Sequence, residues 1–276
     1  MKLVSSPNLE SVLPAQPLSS YLLLEHQPDL HEHLFRLSAD PQMVYLYEDT
    51  SLQELMLQGP ILLPMSSDSP VYQAYAESPD EKPGLLLFSD SPLPEILSCL
   101  RHRLIVRFES VRRAVFRYYD PRVASYFFPA CTAADMHTWF NPIQSIVWYG
   151  GTWANAAEKQ FQWHSIVHTP KQNTSPPEEE LLLTEVQEKA LSQMDCERFV
   201  WNWCLQSSSP FRDGMIYLNE GFSLGLTDSE VLIDYLNLRS SSPHLELPDQ
   251  KTLIGSDTQR LSQIQKHIEG SSQFRR

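Results

Sequence analysis

Pro121, directly behind Asp120, fixes the course of this chain more tightly than any other residue pair in it. A proline ring locks φ, removes an N–H and clashes with a preceding helical turn, so it is admitted at the first position of a helix and excluded from its interior. An aspartate in front of it can accept a hydrogen bond from the first free N–H groups, which marks Asp120 as an N-cap. Ala114 to Tyr119 are rich in β-branched and aromatic side chains and read as a strand. The stretch Phe116-Arg117-Tyr118-Tyr119-Asp120-Pro121-Arg122 therefore predicts a strand-to-helix corner.

That corner closes a local basic island. Seven of the fourteen arginines (101, 103, 107, 112, 113, 117 and 122) lie there against only Glu109 and Asp120, in a chain of formal charge -13. Arg122 falls in the first turn of the expected helix, where the positive end of the helix dipole disfavours a cation, so a carboxylate partner is expected from Asp120 or an outside acid. Two readings stay open: an internal Arg-Asp brace holding strand against helix, and a docking surface formed by Arg112, Arg113, Arg117, Tyr119, Asp120 and Arg122.

The flanking sequence supplies the rest of a sheet. After a Ser/Pro-rich leader over 1–20, short apolar runs at Tyr21–Leu24, Met43–Tyr47, Ile61–Leu63 and Gly84–Phe88 read as strands. Asp29–Leu37 reads as a helix. A second one is expected behind a Ser51/Glu54 capping box, with Leu52, Leu55 and Met56 on its buried face and Gly59-Pro60 at its end. Ser91-Pro92 opens another, with Leu93, Ile96, Leu97, Leu100 and Leu104 at helical spacing. Leu104–Glu109 with Ala114–Tyr119, and Ile143–Tyr149 with Phe161–Val167, are expected hairpins; Thr132 caps a helix running to Phe140.

Residues 170–180 carry three prolines among polar and acidic residues and read as a linker. Helical patterns follow: a long helix from Glu178 to Leu205, one behind a Thr227/Glu230 capping box and one behind Ser256 and Gln259. The fold class expected is α+β, a mixed α/β sheet lobe over 21–169 and a mainly helical lobe over 181–276.

Composition narrows the function. A sequence pI near 5.1 argues against wholesale binding of nucleic acid, which needs a basic surface, and leaves the arginine island as a local exception. Cys99, Cys131, Cys196 and Cys204 show no C-x-x-C spacing and read as buried thiols of a reduced compartment. Neither a signal peptide nor a run of about 20 apolar residues is present, so a cytoplasmic protein without membrane contact is expected.

The candidate chemistry is thin. Gly221-Phe222-Ser223-Leu224-Gly225 matches the G-x-S-x-G elbow of esterases, and Asp249 or Asp257 with His267 follows in the right order. An elbow, however, needs a strand running into its serine, and the strand-like Met215–Leu218 stops short of it. His31 and His33 diverge on a helix, and His164 and His168 lie about 13 Å apart on a strand, so no metal site is expected. No phosphate-binding glycine loop occurs, and no cofactor is expected. Trp201 and Trp203 project about 200° apart on a helix, which buries one and offers the other to a groove or partner.

Five segments in order carry a family resemblance: Tyr21-Leu-Leu-Leu-Glu25, the run from Leu46 through Gly59-Pro60 to Pro64, the glycine-led strand and leucine-rich helix from Gly84, Phe116–Arg122, and Trp139-Phe-Asn-Pro-Ile143. Over Tyr21 to Tyr149 the chain resembles the bacterial type VI secretion effector-adaptor (effector chaperone) family. It departs from that pattern with Glu25 for aspartate, Asn141 for glycine and Glu109-Ser110-Val111-Arg112 for an Asp-Gly type turn; asparagine at 141 tolerates a left-handed turn. The resemblance implies a cytoplasmic bacterial protein without catalytic activity that binds a toxin effector as cargo and helps load it onto a VgrG-type spike protein, the variable helical lobe contributing to cargo choice. An esterase using Ser223 and a nucleic-acid binder using the island are the alternatives.

Overall fold

A run such as Leu22-Leu23-Leu24 can be apolar at every position only if both faces of its strand are covered, and the structure covers both. The computed structural model describes residues 2–109, 111–170, 180–244 and 246–273, and the chain divides into two units, Met1–Met194 and Asp195–Arg276. The fold is α+β, with the sheets in the first unit and helices dominating the second.

In chain order the first unit contains β1 (Lys2–Ser6), β2 (Ser19–Leu24), α1 (Leu30–Leu37), β3 (Val44–Tyr45), β4 (Ile61–Met65), α2 (Pro70–Glu77), β5 (Gly84–Ser89), α3 (Leu93–His102), β6 (Ile105–Phe108), β7 (Arg112–Val115), α4 (Pro121–Phe127), α5 (Ala133–Phe140), β8 (Ser145–Gly150), α6 (Trp153–Ala157), β9 (Gln162–Val167) and β10 (Leu181–Leu182). Helix α7 (Glu185–Ser207) crosses the boundary between the units, and α8 (Phe211–Ser223), α9 (Ser229–Ser241) and α10 (Asp257–Gln273) follow.

Seven strands form one antiparallel sheet in the order β1-β9-β8-β5-β2-β4-β3. Alternate residues of its central strands feed two cores. Leu23, Leu62, Leu85, Leu87, Ile146 and Trp148 point to one face, under α3, α4 and α5. Leu22, Leu24, Ile61, Leu63, Leu86 and Val147 point to the other, with Leu30 and Leu34 of α1 and Val71 and Tyr75 of α2. Each fully buried leucine contributes roughly 1.5–3 kcal/mol.

The segment expected as a leader belongs to this sheet. β1 pairs with β9, Lys2 opposite Val167, and Leu9 and Val12 are buried behind it. The Ser51/Glu54 helix is instead a 3-10 segment over Gln53–Gln58 that leaves Leu55 and Leu57 exposed. Thr50 takes the turn, its hydroxyl donating to the Tyr47 carbonyl (2.6 Å) and accepting from Leu52 N–H (3.1 Å), so Ser51 has no cap to make. Asn141 is not left-handed: its φ is -64°, and the reversal is made by a cis peptide to Pro142.

The long helix begins at Glu185 rather than Glu178, because Leu181 and Leu182 first pair in parallel with β6; Thr184 and Gln187 then cap it reciprocally. Residues 171–179 of the expected linker lie outside the described residues. In the second unit Gly214, Tyr217, Leu218 and Gly221 form the buried face of α8, a helix where Met215–Leu218 looks like a strand. Asp228, not Thr227, caps α9, accepting from Glu230 and Val231 N–H. Ser256 and Gln259 exchange the expected capping bonds at the start of α10.

Candidate partner-binding site

The corner at 116–122 is made as its proline dictates. Asp120 accepts the Arg122 N–H at 2.8 Å and α4 starts at Pro121. The strand before it is shorter than its composition suggests: β7 ends at Val115, and Phe116, Tyr118 and Tyr119 turn inward. Phe116 packs edge-on against Phe127 (4.7 Å) and Trp139 (5.4 Å), and the Tyr118 hydroxyl donates to the Leu100 carbonyl at 2.9 Å. Aromatic burial on this scale outweighs four more residues of edge pairing. Hairpin β6–β7 forms a separate three-stranded sheet in the order β10-β6-β7.

The arginine island is divided among separate tasks. Arg103 is 1% exposed and its guanidinium donates to the carbonyls of Trp139, Cys99 (2.6 Å) and Thr138 (2.9 Å), tying α3 to α5. Arg101 donates to the Tyr45 and Leu46 carbonyls at 3.2 and 3.3 Å, with Glu48 and Asp49 each at 3.6 Å. Arg122 does not clamp Asp120 as a carboxylate partner would. Its Nη1 donates to the carbonyls of Gly151 and Thr152, both at 2.6 Å, and its guanidinium lies 4.3 Å over the Trp153 ring and 5.2 Å from that of Phe161. Those carbonyls and π-faces offset the unfavourable dipole end.

The acid brace belongs to Arg117, which pairs with Glu25 at the end of β2 and lies 3.8 Å from Asp120. Glu25 stands out in the sequence only as a departure from a family pattern; its role needs the three-dimensional approach of β2 to the corner. Tyr119 is buried, not part of a surface, and its hydroxyl meets that of Tyr47 at 2.7 Å. Burial first, and the Tyr47 hydrogen bond second, hold its phenol far above the ordinary value.

Arg112 and Arg113 remain as surface groups. Both are exposed, as is every residue of β7; Arg112 pairs with Glu109 at 3.3 Å and Arg113 with Glu180. Arg107, opposite Arg113 on β6, buries its Nε without a hydrogen-bond partner among the described residues. Val111, Val115 and Leu182 add exposed apolar area to this small sheet, which sequence alone left unnoticed.

In the second unit Trp203 is buried, donating from Nε1 to Asn237 at 2.8 Å and packing against Gly214, so it belongs to the core of that unit. Trp201 is half-buried. Ser223 sits at the end of helix α8 with its hydroxyl on the Asn219 carbonyl (2.9 Å), and Asp257 accepts from Thr227 and Asp228 N–H. A helix, not a strand, leads into that serine.

Cys99 and Cys131 are buried as expected, with burial pushing the Cys131 thiol up to about 12, whereas Cys196 and Cys204 are half-buried. Among the described residues no group of three or more His, Cys, Asp or Glu could hold a metal ion, and no helix is long and apolar enough to cross a membrane.

Comparison with curated proteins and with solved structures finds no match. Residues 20–138, which run from β2 through the hairpin and the corner into α5, match the model of the family described as Domain of unknown function (DUF4123).

Proposed function

We propose that this chain is a cytoplasmic bacterial adaptor, without catalytic activity, that binds a type VI secretion toxin effector and helps load it onto a VgrG-type spike. The observation carrying this reading is the match of residues 20–138 to the model of the DUF4123 family, a span that holds four of the five segments in which the sequence resembles effector adaptors. The allocation of the arginines supports it: five of the seven hold or face the fold's interior, while Arg112 and Arg113 stand on an exposed hairpin suited to acidic protein surfaces.

The same allocation weakens the nucleic-acid alternative, which needs a continuous basic face. A helix leading into Ser223 weakens the esterase alternative. Co-expression with neighbouring toxin and spike proteins, followed by affinity purification, tests the proposal. Recovery of either partner with the folded chain is expected; recovery of neither, from folded and soluble components, overturns it.

A further inference from the structure

We propose that the free edge of β7 takes up an extended acidic segment of a partner protein as a fourth strand of the small sheet, with a carboxylate facing Arg113. This rests on the reading of the chain as a partner-binding protein and adds the mode of docking and the chemistry of what docks.

The backbone directions are fixed by one hydrogen bond. Phe116 N–H donates to the Leu104 carbonyl at 2.8 Å, so Phe116, Ala114 and Arg112 turn their backbone groups towards β6. By the two-residue period, Arg113 and Val115 turn their N–H and C=O groups away from it. β7 is the outermost strand, and all four of its residues are exposed, Val115 at 44%. Both faces and the edge of the strand are thus open, which is the geometry that accepts an added strand.

Charge selects the occupant. Arg113 and Arg107 are directly opposite in the register, a like-charge pair that destabilises a ladder unless acids answer it. Glu180 answers Arg113, whereas Arg107 makes no ion pair among the described residues. An added strand with an acid opposite Arg113 would bring a second carboxylate to a row in which, among the described residues, Glu180 alone faces two guanidiniums, and apolar residues in register with Val115 would cover it. A basic strand would place a third cation in the row. The edge of β1 is also outermost in its sheet but carries Lys2 and serines, with no comparable cluster of arginines.

The test uses the full chain and a short labelled peptide of alternating glutamate and valine, read by fluorescence anisotropy. Four controls accompany it: the same peptide with alternate amides N-methylated, a lysine-for-glutamate version, and the variants Val115→Pro and Arg113→Glu. Proline at 115 removes an N–H that points away from β6, so the existing ladder is kept. Saturable binding is expected, weakened roughly tenfold by either variant, the equivalent of about one hydrogen bond or ion pair, and absent for the N-methylated and lysine peptides.

Equal binding of the N-methylated peptide, or undiminished binding by folded Val115→Pro, overturns the proposal. So does a wild-type dimer that Val115→Pro converts to monomer, which would assign the edge to a second copy. If Val115→Pro fails to fold, Arg113→Glu and the N-methylated peptide decide. Natural partners that co-purify equally with wild type and Val115→Pro would sink the edge and leave the adaptor reading standing. Absence of co-purification with wild type sinks the adaptor reading, and the peptide still reports on the edge.

Discussion

Arg117 and Glu25 form an ion pair that joins the corner after β7 to the end of β2, bridging the two sheets of the first unit. Glu25 is the more enclosed partner, its side chain 14% exposed against 53% for Arg117. Removing the arginine strands an acid in a poorly solvated place, while its own solvent contact limits what is lost. Arg117→Ala is expected to destabilise the fold by about 1–2 kcal/mol in urea unfolding, and Glu25→Gln in the same chain to recover part of that. A fold unchanged by Arg117→Ala, with loss of partner binding, would make the residue a contact surface instead.

Arg103 should tolerate least. Three carbonyls from two helices converge on one buried guanidinium, and lysine cannot reproduce its planar fork. Both Arg103→Leu and Arg103→Lys are expected to cost about 3 kcal/mol or more, seen as a large fall in the urea midpoint or as insoluble protein.

His168 gives the fold an acid-side dependence. Burial first, and the neighbouring His137 ring second, lower its pKa to about 4, the two rings lying edge-to-face at 5.4 Å. The unfolded chain then binds a proton near pH 6.5 that the folded chain refuses until about 4, so stability is lost as pH falls through that window. The loss should reach about 3 kcal/mol at its lower end. His168→Gln should flatten that part of the pH profile relative to wild type; an unchanged slope would refute the assignment.

Tyrosines produce the opposite limb. Burial raises the phenols of Tyr75, Tyr118 and Tyr119 above the ordinary value. Above about pH 10 the unfolded chain loses protons that the folded chain keeps, so stability should fall with rising pH. Absorbance titration should show these phenols ionising together with unfolding; ionisation in the folded state would contradict it.

Gly214→Ala separates packing from propensity. Alanine favours a helix over glycine by about 1 kcal/mol, but a Cβ at 214 would lie 2.6 Å from Val200 Cγ1 and 3.0 Å from the Trp203 ring. The net effect expected is a destabilisation of about 1–2 kcal/mol in thermal or urea unfolding.

Local rules read well wherever one residue fixed the backbone. Asp120-Pro121, Thr132 with Asp135, and the apolar runs of β2, β4 and β5 are legible because capping and burial act over a few residues. Three kinds of feature escape such reading. α8 is masked by its glycines, which face buried partners where an apolar stripe would be expected. β10 and β1 are strands only because distant chain pairs with them. The arginines look alike in sequence, and only the approach of carbonyls and acids from elsewhere separates Arg103 and Arg122 from Arg112 and Arg113.

The pairing of Lys2 with Val167 also sets an order of assembly. A ribosome releases β1 long before β8 and β9, yet its place in the sheet exists only after those strands have been made. During synthesis β2, β4 and β5 can associate while Lys2–Ser6 waits as an unpaired apolar-polar strand, the long-range closure that slows folding most. Substitutions that weaken the β1–β9 pairing should therefore lengthen the final folding phase and leave the early one untouched.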